Sequence, residues 1–163
     1  MDKEATVGLL WLENRSPSPS STSSYEYEED ISKSDDEYME LYNKQVEESD
    51  GFDVDLFPDF HFGYVGGIHP MVRLLEDKEL LTKVEECAAT ALDKYNKDNE
   101  TDLVLVKVLK ANSSVVSGID YYITFEVKDA NGGADAETRV FQAEVWRTIS
   151  EGDEVILCRP KKQ

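Results

Sequence analysis

Cationic charge is what this sequence lacks first. Its 163 residues hold 17 Lys and Arg against 35 Asp and Glu, a formal net charge of −18. A nucleic-acid backbone or an anionic membrane surface needs a basic patch to hold it, so neither is an expected partner. A basic protein partner is not excluded. Cysteine is nearly absent. Cys87 and Cys158 are too few for a disulfide scaffold, and each sits among apolar residues, as a small buried hydrophobe would. Histidine is as scarce: His61 and His69 both lie in "FHFGYVGGIHP", on no predicted helix or strand end that would aim them. A nucleophilic Cys–His pair needs a positioned base and a group to orient it, and the sequence sets neither cysteine beside either histidine. The isolated cysteines offer no zinc spacing. "GYVGG" lacks the lysine, the spacing and the preceding strand of a phosphate loop. No enzyme is therefore expected, and no catalytic residue, metal or cofactor. Long hydrophobic runs are missing too. "VGLLWL", Val7 to Leu12, is shorter than a signal-peptide core or a membrane span. The expected compartment is the reducing cytoplasm, with the nucleus as the alternative, and the sequons at Asn14, Asn99 and Asn112 then carry no weight.

What charge there is falls unevenly. Tyr25 to Phe60 holds fourteen acids against Lys33 and Lys44, a net −12, whereas His61 to Gln163 carries −5. Residues 1–60 read as a mostly disordered tail, Ser/Pro-rich at "SPSPSSTSS" and then acidic, and residues 61–163 as a folded domain. Aromatics alternate with acids in the arm, which allows local docking. "EYMELYNKQVEE" carries the thin apolar stripe of a short helix in Met39, Tyr42 and Val46.

Periodicity organises the rest. Leu74 to Lys97 predicts a long helix, with Leu81, Val84, Ala88, Ala91 and Tyr95 on one stripe. Four strands follow: Asp102–Ala111, then "IDYYITFEVKD", then Glu137–Thr148, then "EVILCRP". In the second, Ile119, Tyr121, Ile123, Phe125 and Val127 face one way and polar residues the other. In the third, Phe141, Ala143 and Val145 face inward. One covered face and one wet face is the signature of antiparallel pairing. The fold class is α+β, one long helix against a curved, four- to five-stranded antiparallel sheet. "SSVVSG" does not fit this scheme easily, because Val115 and Val116 fall at a predicted turn, where apolar residues gain nothing from burial.

Three segments, "ALDKYNKDN", "LVLVKVLKANSSVVSGIDYYITFEVKD" and "FQAEVWRT", closely resemble plant cystatins, the protein inhibitors of papain-like cysteine proteases. The order of elements matches too, from about Tyr64 to Lys161, with "YYITFEVKD" and "EVWRT" the most specific parts; the acidic arm has no recognised counterpart. Among these proteins the chain is most similar to the divergent, cystatin-related group. The resemblance implies a cystatin-like fold and a wedge of three elements: a glycine-bearing N-terminal trunk, a first hairpin of the pattern Gln-Val-Val-Ala-Gly and a second hairpin bearing Pro-Trp. It places Gly66 and Gly67 in the trunk and Val115, Val116 and Gly118 in the first hairpin as protease-binding residues. Ser114 stands in place of the glutamine, Ser117 in place of the alanine, and Ile149 and Ser150 where Pro-Trp is usual. "CAATAL" also departs from the family's helix pattern. Two functions follow. One is a reversible inhibitor of a papain-like protease, weakened by the departures; the other is a non-inhibitory interaction module whose acidic tail is the working part. A monomer is expected, with a dimer swapped through the first hairpin as the alternative.

Overall fold

A computed structural model describes residues 34–57 and 67–163. From Asp35 to Ser49 the chain forms helix α1. Ser34 caps it reciprocally: the Glu37 N–H donates to Ser34 Oγ at 3.4 Å, and the Ser34 N–H donates to Glu37 Oε2 at 2.7 Å. After a two-residue strand β1, His69–Pro70, comes the long helix α2, Lys78–Asn99. The predicted helix began at Leu74. Asp77 sets the start later, because its carboxylate accepts from the Glu79 and Leu80 amides that open α2. Strands β2, Leu103–Val116, β3, Gly118–Asp129, β4, Arg139–Thr148, and β5, Asp153–Pro160, then form one antiparallel sheet in the order β1-β2-β3-β4-β5. Asn96 ties the end of α2 to the sheet, donating to the Leu103 carbonyl and accepting from the Leu103 amide. Register shifts in β2, after Leu105 and Val108, and between β4 and β5 at Glu144/Val145 bend the sheet around α2.

The inner face of the sheet buries α2. Val84, Cys87, Ala88, Ala91 and Leu92 from the helix meet Tyr121, Ile123, Phe125, Val127, Phe141, Ala143 and Val145, with Tyr95 edge-on to Phe141 at 5.0 Å. Alternation predicted all of these sheet residues. Ile119, placed in the same row, is instead exposed, because it sits opposite Val115 at the hairpin end, past the last buried residue of the row. The cysteines are the small hydrophobes expected: burial pushes both thiols up to about 12, far from a reactive thiolate at neutral pH.

The outer face, expected to be wet, is partly covered: residues 34–57 of the acidic arm, α1 among them, lie on it, while the rest of residues 1–60 lies outside the described residues. Gly51 lies so close that a Cβ on it would come within 2.9 Å of the Tyr122 ring and of Ile68, and its φ of +83° suits glycine. Phe52 is buried edge-on to Tyr122 at 5.7 Å and lies under the Arg159 guanidinium. Buried Asn112 donates to the Gly51 carbonyl at 2.7 Å. Around this contact Asp50 meets Arg159 and Lys162, and Asp53 meets Lys110 and Lys161. The arm's like charges repel one another in isolation; here the cations of β2, β5 and the C-terminal residues neutralise two of them. These pairs hold the Asp50 and Asp53 carboxyls below their usual range, although burial of Asp53 works against its shift.

Candidate functional site

The segment "SSVVSG", Ser113 to Gly118, forms a hairpin tip. Strands β2 and β3 pair out to Val116 opposite Gly118, with Ser117 at the turn. Val115 and Val116 are 58% and 50% exposed. They lie on opposite sides of the ribbon, since successive strand residues alternate. Gly118 holds a φ of +121°, and a Cβ there would lie 2.2 Å from the Arg147 carbonyl oxygen. This glycine is required twice, by its backbone angle and by the close approach of β4.

That approach brings the second hairpin alongside the first. Gly118 pairs with Thr148, the last residue of β4, so the turn 149–152 begins beside the first tip. Thr148 closes the turn, its amide and hydroxyl both donating to the Gly152 carbonyl, while the Glu151 amide donates to the hydroxyl. Beneath it, Arg147 binds Asp153 through two parallel hydrogen bonds of 2.8 and 2.9 Å. The Arg147 guanidinium holds the Asp153 carboxyl below its usual range, and the Cys87 thiol donates to the same carboxylate at 3.7 Å. On this braced turn Ile149 is 85% exposed. Ile149 and Ser150 occupy the place where Pro-Trp is usual, so an exposed apolar side chain remains on this turn although the tryptophan is missing. The signal for Ile149 was a lone apolar residue in the polar turn "TISEGDE".

The trunk reaches the same end. Strand β1 runs antiparallel to β2, pairing His69 with Ser113 and Pro70 with Asn112, which sends Gly67 toward the level of Val115. Gly67 is half-buried beside the His69 ring and the Tyr42 hydroxyl. Gly66 lies outside the described residues. The expected set is thus brought together at Gly67, Val115, Val116 and Gly118, with Ile149 added. Ser114 departs from it. At 5% exposure it is buried on the face shared with Asn112. Among the described residues no cluster of three or more His, Cys, Asp or Glu is disposed to hold a metal ion, and no helix is long and apolar enough to cross a membrane.

Comparison with known proteins gives this geometry its family. The Cystatin domain model matches residues 76–155. A UPF0725 protein of Arabidopsis thaliana is 36% identical over 123 residues, covering 72% of this chain and 39% of its own length. Gly67 to Gln163 is only 97 of the 163 residues, so that likeness reaches back into the segment before the trunk. Cysteine proteinase inhibitor 3 of the same plant is 30% identical over 82 residues, half of this chain and 58% of that protein. The chain therefore spans 39% and 58% of these two relatives. Cysteine proteinase inhibitor A of Helianthus annuus is 36% identical over 64 residues, which cover 39% of this chain and 72% of the inhibitor. With the helix, the meander sheet and both hairpins in place, the chain belongs to the cystatin family.

Proposed function

We propose that the chain is a reversible inhibitor of papain-like cysteine proteases that offers the Gly67, Val115–Gly118 and Ile149 end of its sheet to the protease cleft. One observation carries this reading: three segments distant in sequence converge on one end, and the apolar side chains of the two hairpins there, Val115, Val116 and Ile149, are left in water by the fold. Apolar residues held on rigid hairpins are buried by binding, at little cost in ordering. No nucleophile or base is needed for this, consistent with two protonated thiols, Cys87 buried and Cys158 half-buried.

Binding is expected to be weak for the family. Loss of a central aromatic anchor costs about 2–4 kcal/mol, roughly 30- to 1,000-fold. Ile149 restores part of the lost apolar area. Buried Ser114 supplies none of a glutamine's polar contacts, a further loss of about 1 kcal/mol. We take the monomer as the acting species, in a cytoplasm that keeps both cysteines reduced.

The burial of Ser114 favours a second reading, a non-inhibitory interaction module that kept the scaffold and lost the grip. Titration of papain decides between them. Inhibition is expected at about 10 μM chain, where even roughly −7 kcal/mol of binding registers. Its absence there would sink the inhibitor reading. Val116→Asp should abolish most of the inhibition with an unchanged circular dichroism spectrum, since the side chain it replaces is in solvent already.

A further inference from the structure

The acidic arm touches the trunk as well as the outer face of the sheet. The Ile68 amide, one residue after Gly67, donates to the Tyr42 hydroxyl at 2.6 Å, and Tyr42 is 8% exposed. The Ile68 side chain packs into a small apolar cluster built by the arm from Tyr38, Tyr42, Val54 and Phe57. Gly51 of the arm lies so near Ile68 that a Cβ on it would come within 2.9 Å of the Ile68 side chain. The pairing of β1 with β2 begins only at His69, so the arm supplies the described support for the residue just before it. The arm is itself fastened independently of the trunk, through Asn112 to the Gly51 carbonyl and through the ion pairs of Asp50 and Asp53. Gln45 folds it back on α1 by exchanging two hydrogen bonds with Asp55, at 2.7 and 2.9 Å.

We propose that residues 34–57 are a built-in clamp that presets the trunk beside the two hairpins, with Tyr42 as its positioning residue. This rests on the inhibitor reading for its purpose but not for its geometry. A trunk free in solution loses backbone entropy when a cleft orders it; a trunk already held has lost that entropy on folding, and binds more tightly for it. The clamp offsets some of what the missing tryptophan and glutamine cost. Tyr42 touches no protease in this arrangement and acts through Ile68.

The full chain, its Tyr42→Phe variant and its Phe52→Ala variant test the clamp. Tyr42→Phe keeps the ring in its cluster and removes one acceptor, so the thermal midpoint should hardly move. Amide exchange at Ile68 should quicken by about 10-fold or more, and the inhibition constant for papain should weaken about 5-fold, the worth of one hydrogen bond. Phe52→Ala, which loosens the arm from Tyr122, should move both readouts the same way and further. Unchanged exchange at Ile68 in both variants overturns the clamp. Faster exchange with equal or tighter inhibition overturns its role in binding. If the unaltered chain does not inhibit papain, the inhibitor reading fails, and exchange at Ile68 alone decides the clamp.

Discussion

The two faces of the sheet are closed by different chemistry. The inner face meets α2 through side chains that are almost all apolar, and through ring contacts such as Phe125 with Phe141 at 6.3 Å. The outer face meets the arm through two aromatic rings, Phe52 and Tyr122, set among polar groups: Asn112, Thr124 and Gln142 are buried there, with Asp120 and Glu144 beside them. Hydrophobic burial needs no partner of defined geometry, whereas a buried polar group is stable only when paired. The inner face therefore makes the fold, and the outer face selects which segment lies on it.

The contrast breaks most visibly at the inner face. Phe125→Ala should cost about 3–5 kcal/mol, as large-to-small changes in a filled core do. Chemical denaturation should show the whole domain weakened, arm included. A mutation of that size on a domain whose midpoint did not move would mean the inner face is not the core. Asn112→Ala strikes the outer face and should cost less, about 1–3 kcal/mol, by leaving the Gly51 carbonyl without its donor. Amide exchange should rise across residues 34–57 while α2 and the paired strands stay protected. Uniform loss of protection would erase the distinction between the faces.

The smallest effect concerns pH. Burial, and then the neighbouring Asp120 carboxylate, push Glu144 up from an ordinary 4.5 to about 7, with Asp50 of the arm adding to the rise. Asp120 is raised as well, by burial, although its hydrogen bonds to Tyr122 and Glu144 pull the other way. Tyr122, which donates to Asp120 at 3.2 Å, stays protonated throughout this range. The folded state thus holds more protons than the unfolded state between about 4.5 and 7, and stability from Glu144 falls as pH rises through that window. Asp50, Asp53 and Asp153 have the opposite sign. Their contribution is present above the ordinary 3.8 and is lost as pH falls below it. A thermal midpoint higher at pH 5.5 than at pH 8 is expected, and Glu144→Gln should flatten that slope. A slope that survives the substitution would place the titrating group elsewhere.

Much of the inner face was legible in sequence because burial there repeats with a period. Tyr121, Ile123, Phe125 and Val127 alternate along β3, and Val84, Ala88 and Ala91 recur along α2. The end of β2 was less legible. The predicted strand stopped at Ala111 and Ser113 and Ser114 read as part of a turn, yet β2 continues to Val116, because β1 pairs on one side and β3 on the other. At the candidate site, the valines and Gly118 were readable from flanking motifs, whereas Ile149 was not. Its exposure depends on where the β4–β5 turn closes, and that is set by Thr148 and by the Arg147–Asp153 pair.

By itself the sequence determined the α+β class, the inner core, the absence of metal and nucleophile motifs, and the hairpin with apolar residues at its tip. Each of these rests on local pattern or on residue type. Only the tertiary structure decided that residues 34–57 of the acidic arm pack on the sheet. Asn112 and Gly51 lie 61 residues apart and Arg159 and Asp50 109 apart, and no periodicity spans such distances. A like-charged segment reads as self-repelling until the cations that neutralise it are brought to its side, and folding of the sheet is what brings them.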